Sequence, residues 1–597
     1  MRTKFFSLVS LLMTASLILA ACGTATPVVQ TVIVGGEVQV VTATPGPAPA
    51  GPKVVTLNFG VGDVPTIDPA LSTDTSSVQI TWETHPGLVR QNEETAVNEP
   101  GMAESWESRV NDDGTETLTF HLRQNVPWVK YDGSQVVQVM DCQETPAPRM
   151  VNANDFYYGI MRTLNPATAS DYAYVLGLGI VGAGDYNAGT NEDPASVGVR
   201  VIDDYTLEMD FLVPAAYNAS IAGLWVAAAQ PQWIIEGDDC TEARGDKWTE
   251  TGFQQSYGPY TLKEWIHDTT LTIVKNPFFP GWDAIPQGKV DEFVFMMLDE
   301  DAAFAEYEAG NLDATGAPLS EIDRIKTDPT LSQELVIASI MCTYYYGFNT
   351  QAEHTNDARV RRALSMAIDR QSLIDNVTKG GQIPAQWFSR PGLTGSPTPE
   401  EYPDLGIVFD ADGAKAELQS YLDEKGLTAD QVNLTLMFNT SAGHQRIAEA
   451  IQQMWTTTLG VNVQLTNQEW AVYLKTLQTK EAIPQIWRLG WCMDYADANN
   501  FIKEVFVYGG HENGQTGTGI NWGPDPDFEA LLARAAAEQD PAARVALYAE
   551  AEEYLVDTIA AIAPIYWYTR VTLSKPHLMR TFGTGGQEAL EKWDVAQ

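Results

Sequence analysis

The sequence predicts an α/β fold of mixed sheets flanked by helices. Three observations carry that reading: short stretches with alternating or β-branched residues, amphipathic stretches of helical period between them, and a composition of 44% hydrophobic and 10% aromatic residues that can line several cores. A chain of 597 residues is too long for one compact module, so several subdomains are expected. No repeat of 20 to 50 residues is visible, which excludes a solenoid. Lys and Arg number 36 against 78 Asp and Glu, a net charge of −42. Phosphate binding needs basic stripes, so a nucleic-acid partner is excluded.

From the N-terminus, Arg2 and Lys4 precede an uncharged apolar run at 5–18, followed by Leu19, Ala20, Ala21 and Cys22. This is the pattern of a secretory signal peptide, residues 1–21, ending in a lipobox, with Cys22 as the lipid attachment site. The run is shorter than the ~20 residues of a spanning helix, which disfavours an uncleaved transmembrane anchor. Residues 22–53, rich in Thr, Val, Pro, Ala and Gly, read as a flexible tether, with a strand or hairpin at 38–44 as the alternative. Beyond it, strands are predicted at 117–123, 206–211, 270–274, 433–438 and 461–465. Helical spacing marks 358–377, behind a candidate Asn356 cap, and also 445–457 and 527–558.

Catalytic constellations are missing. His511 and Glu512 do not extend to a zincin helix, because Gln515 stands where the second histidine is needed. There is no GxSxG elbow and no phosphate loop. Asp410, Asp412 and Gly413 resemble part of a calcium loop, but Val408 replaces its first aspartate, so a turn before a helix is the simpler reading. Neither a metal nor a cofactor is expected. The informative segment is 486–501, IWRLGWCMDYADANNF, where a strand with Trp487, Arg488 and Trp491 runs into Cys492 and Asp494. One acid and one base among aromatics suit a zwitterion, the carboxylate meeting an ammonium and the guanidinium a carboxylate. An ordinary strand edge with surface charges is the competing reading.

At these residues the chain resembles the peptide-binding proteins of ABC importers, solute-binding protein family 5, over about 54–595. Ile67-Asp68-Pro69-Ala70 resembles the family's LDPA, and 87–90 its GLVR. Residues 100–106 resemble PGLAESW, 120–123 FHLR, 258–260 GPY, and 360–363 the start of its VRRAL helix. Cys342 to Tyr346 (CTYYY) and 460–470 (GVNVQLTNQEW) are similar to the peptide-binding branch in particular. The resemblance implies a two-lobed periplasmic-binding-protein-like fold (type II, cluster C) with an extra subdomain. Lobe I would take 54–85, 231–341 and 564–597, the extra subdomain 86–230, and lobe III 342–563. The ligand backbone would be held as an added strand between closing lobes.

Carried over by motif, Asp494 is expected to bind the peptide's α-ammonium. Gly490 and Cys492 would supply backbone hydrogen bonds from one side, with Thr73 and Thr75 facing them. Tyr172 would contact the ligand's N-terminal end, Arg488 and His444 would reach a C-terminal carboxylate, and Trp470 would wall a pocket. Trp491 and Tyr346 complete the expected ligand-binding set. The resemblance also implies a Cys342–Cys492 disulfide. Cys142 lies in an insertion after Gly133 and Cys240 in another region without family motifs, so these two are expected to form a second bridge in an exported chain. Gly347 stands where the enteric relative has a glutamate, implying a different charge preference in an adjacent pocket. The implied function is a monomeric, non-enzymatic, membrane-anchored extracytoplasmic lipoprotein, on the cell surface or in the periplasm. It would deliver short peptides to an ABC permease and its ATPase. The alternatives are an oligosaccharide or nickel-chelate binder, a sensor or adhesion lipoprotein, and a secreted hydrolase.

Overall fold

The computed structural model describes residues 29–34, 37–42, 51–515, 517 and 519–596. They fall into two units, one within residues 1–52 and the other Lys53–Ala596. In the first, Val29–Val34 and Glu37–Thr42 pair antiparallel, from Val29 opposite Thr42 to Val34 opposite Glu37. This part of the expected tether is a two-stranded ribbon, consistent with its β-branched composition. The signal segment and Cys22 lie outside the described residues.

The second unit is built on three principal sheets. In one, Val54–Asn58 runs parallel to Glu292–Met296, which continues antiparallel through Thr270–Lys275 to Tyr260–Ile266. In another, Val199–Asp203, Thr206–Phe211, Glu116–Leu122 and Ala103–Val110 form an antiparallel ladder. The largest runs in the order Ala314–Gly316, Ile562–Ser574, Leu335–Phe348, Ile486–Cys492, Asn433–Asn439, Asn462–Gln468, with Ile383–Pro384 joining Ile562–Ser574. Alternating burial along Thr206–Phe211 shows one face turned to a core, whereas Asn433–Asn439 alternates only as far as Leu436, beyond which Met437 on the other face is buried as well. Leu335–Phe348 and Ile562–Ser574 pair over most of their length, with register breaks between Ser339 and Thr343 and between Tyr344 and Tyr345. The lobe boundaries expected at 341/342 and 563/564 fall inside these two strands, each of which continues across the expected boundary.

Local chemistry explains the helix ends. Asp357, not Asn356, caps Ala358–Met366 by accepting from the Arg359 N–H. The periodic stretch breaks after Met366, restarts at Arg370–Leu373 and ends in a π-turn at Ile374–Thr378. The 527–558 stretch is two helices, Pro526–Ala537 and Pro541–Glu553, because a proline without an N–H starts a helix rather than continuing one. Asp410 caps Ala411–Lys425 by accepting from the N–H groups of Asp412 and Gly413, so the calcium-like fragment is a helix start. No helix among the described residues is long and apolar enough to cross a membrane.

Three anchors fix the loop that carries Thr73 and Thr75. Buried Asp68 accepts both Arg162 Nη groups at 2.7 Å and Trp248 Nε1 at 2.8 Å. Trp225 Nε1 donates to Ser72 O at 2.8 Å. Asp74 then caps the helix Thr75–Thr84. The loop is therefore held against the subdomain whose helix Ala153–Leu164 supplies Arg162.

Candidate ligand-binding cleft

The cleft begins with an unfinished strand edge. Ile486–Cys492 pairs along its whole length with the segment Cys342–Phe348, but on its other side Asn433–Asn439 reaches only Ile486 and Trp487. From Arg488 onward that edge is open. Cys342 and Cys492 face each other across the ladder, disulfide-bonded, with Cα atoms 4.0 Å apart. So short a spacing marks a non-hydrogen-bonded pair, whose N–H and C=O groups point away from the partner strand. By the two-residue period, those of Gly490 and Arg488 point the same way. Tyr473 takes the Arg488 pair, its hydroxyl accepting from the N–H at 3.0 Å and donating to the carbonyl. The groups of Gly490 and Cys492 remain on the open edge, a template for one more strand. A Cβ at Gly490 would lie 2.9 Å from Tyr568 Oη, so glycine keeps this approach clear.

A cavity of about 250 Å³ lies along this edge, with Thr73, Thr75, Tyr172, Trp470, Arg488, Gly490, Trp491, Cys492 and Asp494 all on its wall. Asp494 stands at one end. The Tyr172 hydroxyl donates to both its carboxylate oxygens, at 3.1 and 2.9 Å, and Asn500 Nδ2 donates to Oδ2 at 2.9 Å. Asn500 Oδ1 accepts the Asp494 N–H at 2.9 Å and Trp491 Nε1 at 3.3 Å, locking the loop to the helix Ala498–Phe506. Tyr172 lies nearly parallel to Trp491, with ring centroids 6.4 Å apart. Burial pushes the Asp494 carboxyl up to about 6, against the opposing pull of the Asn500 and Tyr172 hydrogen bonds. No cation forms a salt bridge with it among the described residues. The site is therefore an acceptor for an arriving positive charge.

Arg488 supplies the opposite charge. Its Nη1 donates to Asn439 Oδ1 at 3.0 Å, its Nη2 donates to the Tyr568 hydroxyl, and its guanidinium lies 4.4 Å over the Tyr344 ring. No carboxylate lies within salt-bridge distance of it among the described residues, and its buried Nε has no partner. A buried guanidinium supported only by neutral groups is prepared for an anion.

Two expected residues do not line this cavity. Tyr346 is fully buried in the core of the large sheet, its ring 6.1 Å from Trp455; it shares a sheet face with Arg488, its partner across the ladder, but is packed away in that core. His444 sits in the first turn of Ala442–Leu459, Nδ1 3.4 Å from the Tyr344 hydroxyl. Burial and then Arg488 hold its imidazole well below the usual histidine range, so it is neutral rather than the basic group expected. Gly347 faces Trp487 across the ladder, and a Cβ there would fall 2.1 Å from that indole. Its lack of a side chain makes room for that indole.

The sequence reading missed His511, Tyr568, Gln587 and Trp225 on the same wall. His511 also lines a neighbouring cavity of about 340 Å³ with Asp171, Tyr174, Tyr508 and Glu512. Its Nδ1 is 2.9 Å from Glu512 Oε1, and its ring lies within 6 Å of Tyr172, Tyr174 and Trp491. The cue was present in the His511-Glu512 pair, which makes a buried imidazole–carboxylate contact without any metal pattern. The second expected disulfide, Cys142–Cys240, is formed, with Cα atoms 5.6 Å apart.

Comparison with known proteins agrees with this architecture. Residues 98–513 match the model for "Bacterial extracellular solute-binding proteins, family 5 Middle". The chain is 31% identical to the oligopeptide-binding protein OppA of Bacillus subtilis over 98% of each sequence. Its fold is similar to the Escherichia coli murein tripeptide binding protein MppA, at a TM-score of 0.77 and 28% identity, covering 92% of this chain and 99% of that one. Against MppA in its unliganded open form the TM-score is 0.58, at the same identity and with 98% of that chain covered. The strand-edge cleft, the two-lobed α/β architecture and the match over most of the body together establish that the chain belongs to family 5 of the bacterial extracellular solute-binding proteins.

Proposed function

We propose that this protein captures short peptides between its lobes and delivers them to the permease and ATPase of an ABC importer. The observation that carries the reading is the open edge at Gly490 and Cys492, flanked by an unpaired carboxylate at Asp494 and an unpaired guanidinium at Arg488. Main-chain pairing accepts any side chain, while the two charges select a free N-terminus and an anionic group. The relatives named as oligopeptide- and murein-tripeptide-binding proteins support the same ligand class. The proposal includes a monomeric body held outside the cytoplasm by lipid at Cys22, supported by the lipobox pattern in the sequence.

Isothermal titration of trialanine against wild type and Asp494→Ala tests the site. Wild type should bind one peptide per chain, and the variant should lose at least about a hundredfold in affinity, the order expected when one partner of a buried charge pair is removed. N-acetylated trialanine should bind wild type as poorly as trialanine binds the variant. Equal binding of both peptides, or tighter binding of cello-oligosaccharides, would overturn the proposal.

A further inference from the structure

Behind Asp494 lies a second acid that the ammonium site does not expose. Asn500 and Glu504 are four residues apart in the helix Ala498–Phe506 and so share a face. The Asn500 amide spans both carboxyl groups, donating to Asp494 Oδ2 at 2.9 Å and to Glu504 Oε2 at 3.1 Å. Glu504 is buried, 2% exposed, and also accepts the Tyr495 hydroxyl at 2.5 Å and Asn499 Nδ2 at 3.5 Å. No cation forms a salt bridge with it among the described residues. The neighbouring Lys503 and the phenols of Tyr174, Tyr217 and Tyr495 also act on its charge, as Asp494 does. On the cleft side, Asp494 is faced by Tyr172 and His511. Two carboxyls bridged by one amide in a water-poor pocket cannot ionise independently.

Resting on the reading of Asp494 as an ammonium site, we propose that Glu504 is a second acid of that site, acting through Asn500 to set how strongly Asp494 holds a cation. Glu504 is a positioning residue: it lines no part of the cavity and touches Asp494 only through the amide. Burial, then the charge of Asp494, holds its carboxyl above the usual range, so it is neutral when the cleft is empty near neutral pH. An ammonium arriving on Asp494 cancels that repulsion and eases ionisation of Glu504. Binding is thereby linked to proton release, and affinity gains a component that grows as pH rises.

The test is trialanine binding to wild type, Glu504→Gln and Asp494→Asn from pH 6 to 9, titrated in two buffers of different ionisation enthalpy. The ligand's own amine titrates identically with each protein, so the ratio of affinities isolates Glu504. Wild type over Glu504→Gln should be near one at pH 6 and rise at least about threefold by pH 9, with more protons released by wild type at pH 8. A ratio that does not change with pH, or equal proton release, would leave Glu504 a merely structural group and overturn the inference. Should Glu504→Gln not fold, Tyr495→Phe removes the hydroxyl that favours the ionised form and must move the ratio in the same direction. Asp494→Asn separates the two claims. If it binds like wild type, the ammonium reading fails; if it does not bind and the Glu504→Gln ratio stays flat, only the role of Glu504 fails.

Discussion

Arg488 shows how a single residue is tuned by what surrounds it. Asn439, Tyr344 and Tyr568 satisfy part of its donor set without neutralising it, and Nε is left over. Arg488→Met should therefore weaken binding of trialanine about tenfold or more while leaving its C-terminal amide nearly unaffected, as measured by titration calorimetry. An equal loss for both ligands would mean that Arg488 only supports the strand. Asp494 and Arg488 were legible in the sequence because lone charges stand out in the apolar run IWRLGWCMDY. Asn500 and Tyr568 were not, since a neutral amide and a tyrosine on a distant strand acquire meaning only when folding places them beside these charges, while His511 was marked only by its neighbour Glu512. His444 was matched by motif to a basic residue, and no sequence pattern shows that burial, then the Arg488 guanidinium, holds its imidazole well below the usual histidine range.

The helix Ala498–Phe506 is the element on which the ammonium end depends, because it carries Asn500. Its cap, Asp497, accepts the Asn499 N–H at 2.8 Å and pairs with Arg544 through contacts of 2.9 and 2.7 Å, both side chains being largely buried. Asp497→Ala removes the cap and strands a buried guanidinium, so it should cost roughly 3 to 5 kcal/mol in a urea unfolding titration. A loss below about 1 kcal/mol would show that neither contact matters. Four of the five strands expected were readable to within a residue, and the fifth runs three residues further, to Gln468, since period-2 alternation survives in any register. The stretches 358–377 and 527–558 were read as continuous because their apolar spacing carries through the breaks. Only the backbone shows the helix ending at Met366, and Pro541 was a stop signal the periodicity obscured. Two strands of the large sheet run through the lobe boundaries expected at 341/342 and 563/564.

At the scale of the molecule, two structures of one relative separate lobe arrangement from sequence. The similarity to one MppA structure and the lower similarity to its unliganded open form differ at constant sequence, so the difference reports how the lobes are arranged, and here they stand nearer the former. Tyr172 from one side of the cleft meets Asp494 and Trp491 from the other, contacts that opening would break. On the proposed function, closure on a peptide needs Asp494 ionised. Burial raises its carboxyl to about 6 in the empty cleft, and a bound ammonium favours the charged form and lowers it again. The sign follows for this carboxyl: its contribution to affinity is complete above about pH 6 and falls toward tenfold per unit as pH drops below it, until the lower value of the complex is reached. Small-angle scattering of ligand-free protein should therefore show the radius of gyration shrinking when trialanine is added at pH 7.5. At pH 4.5 the same peptide concentration, chosen just above the dissociation constant at pH 7.5, should produce little change. Asp494→Asn should show no contraction at either pH. Contraction of wild type that is equally complete at both pH values would mean that the carboxylate does not drive closure.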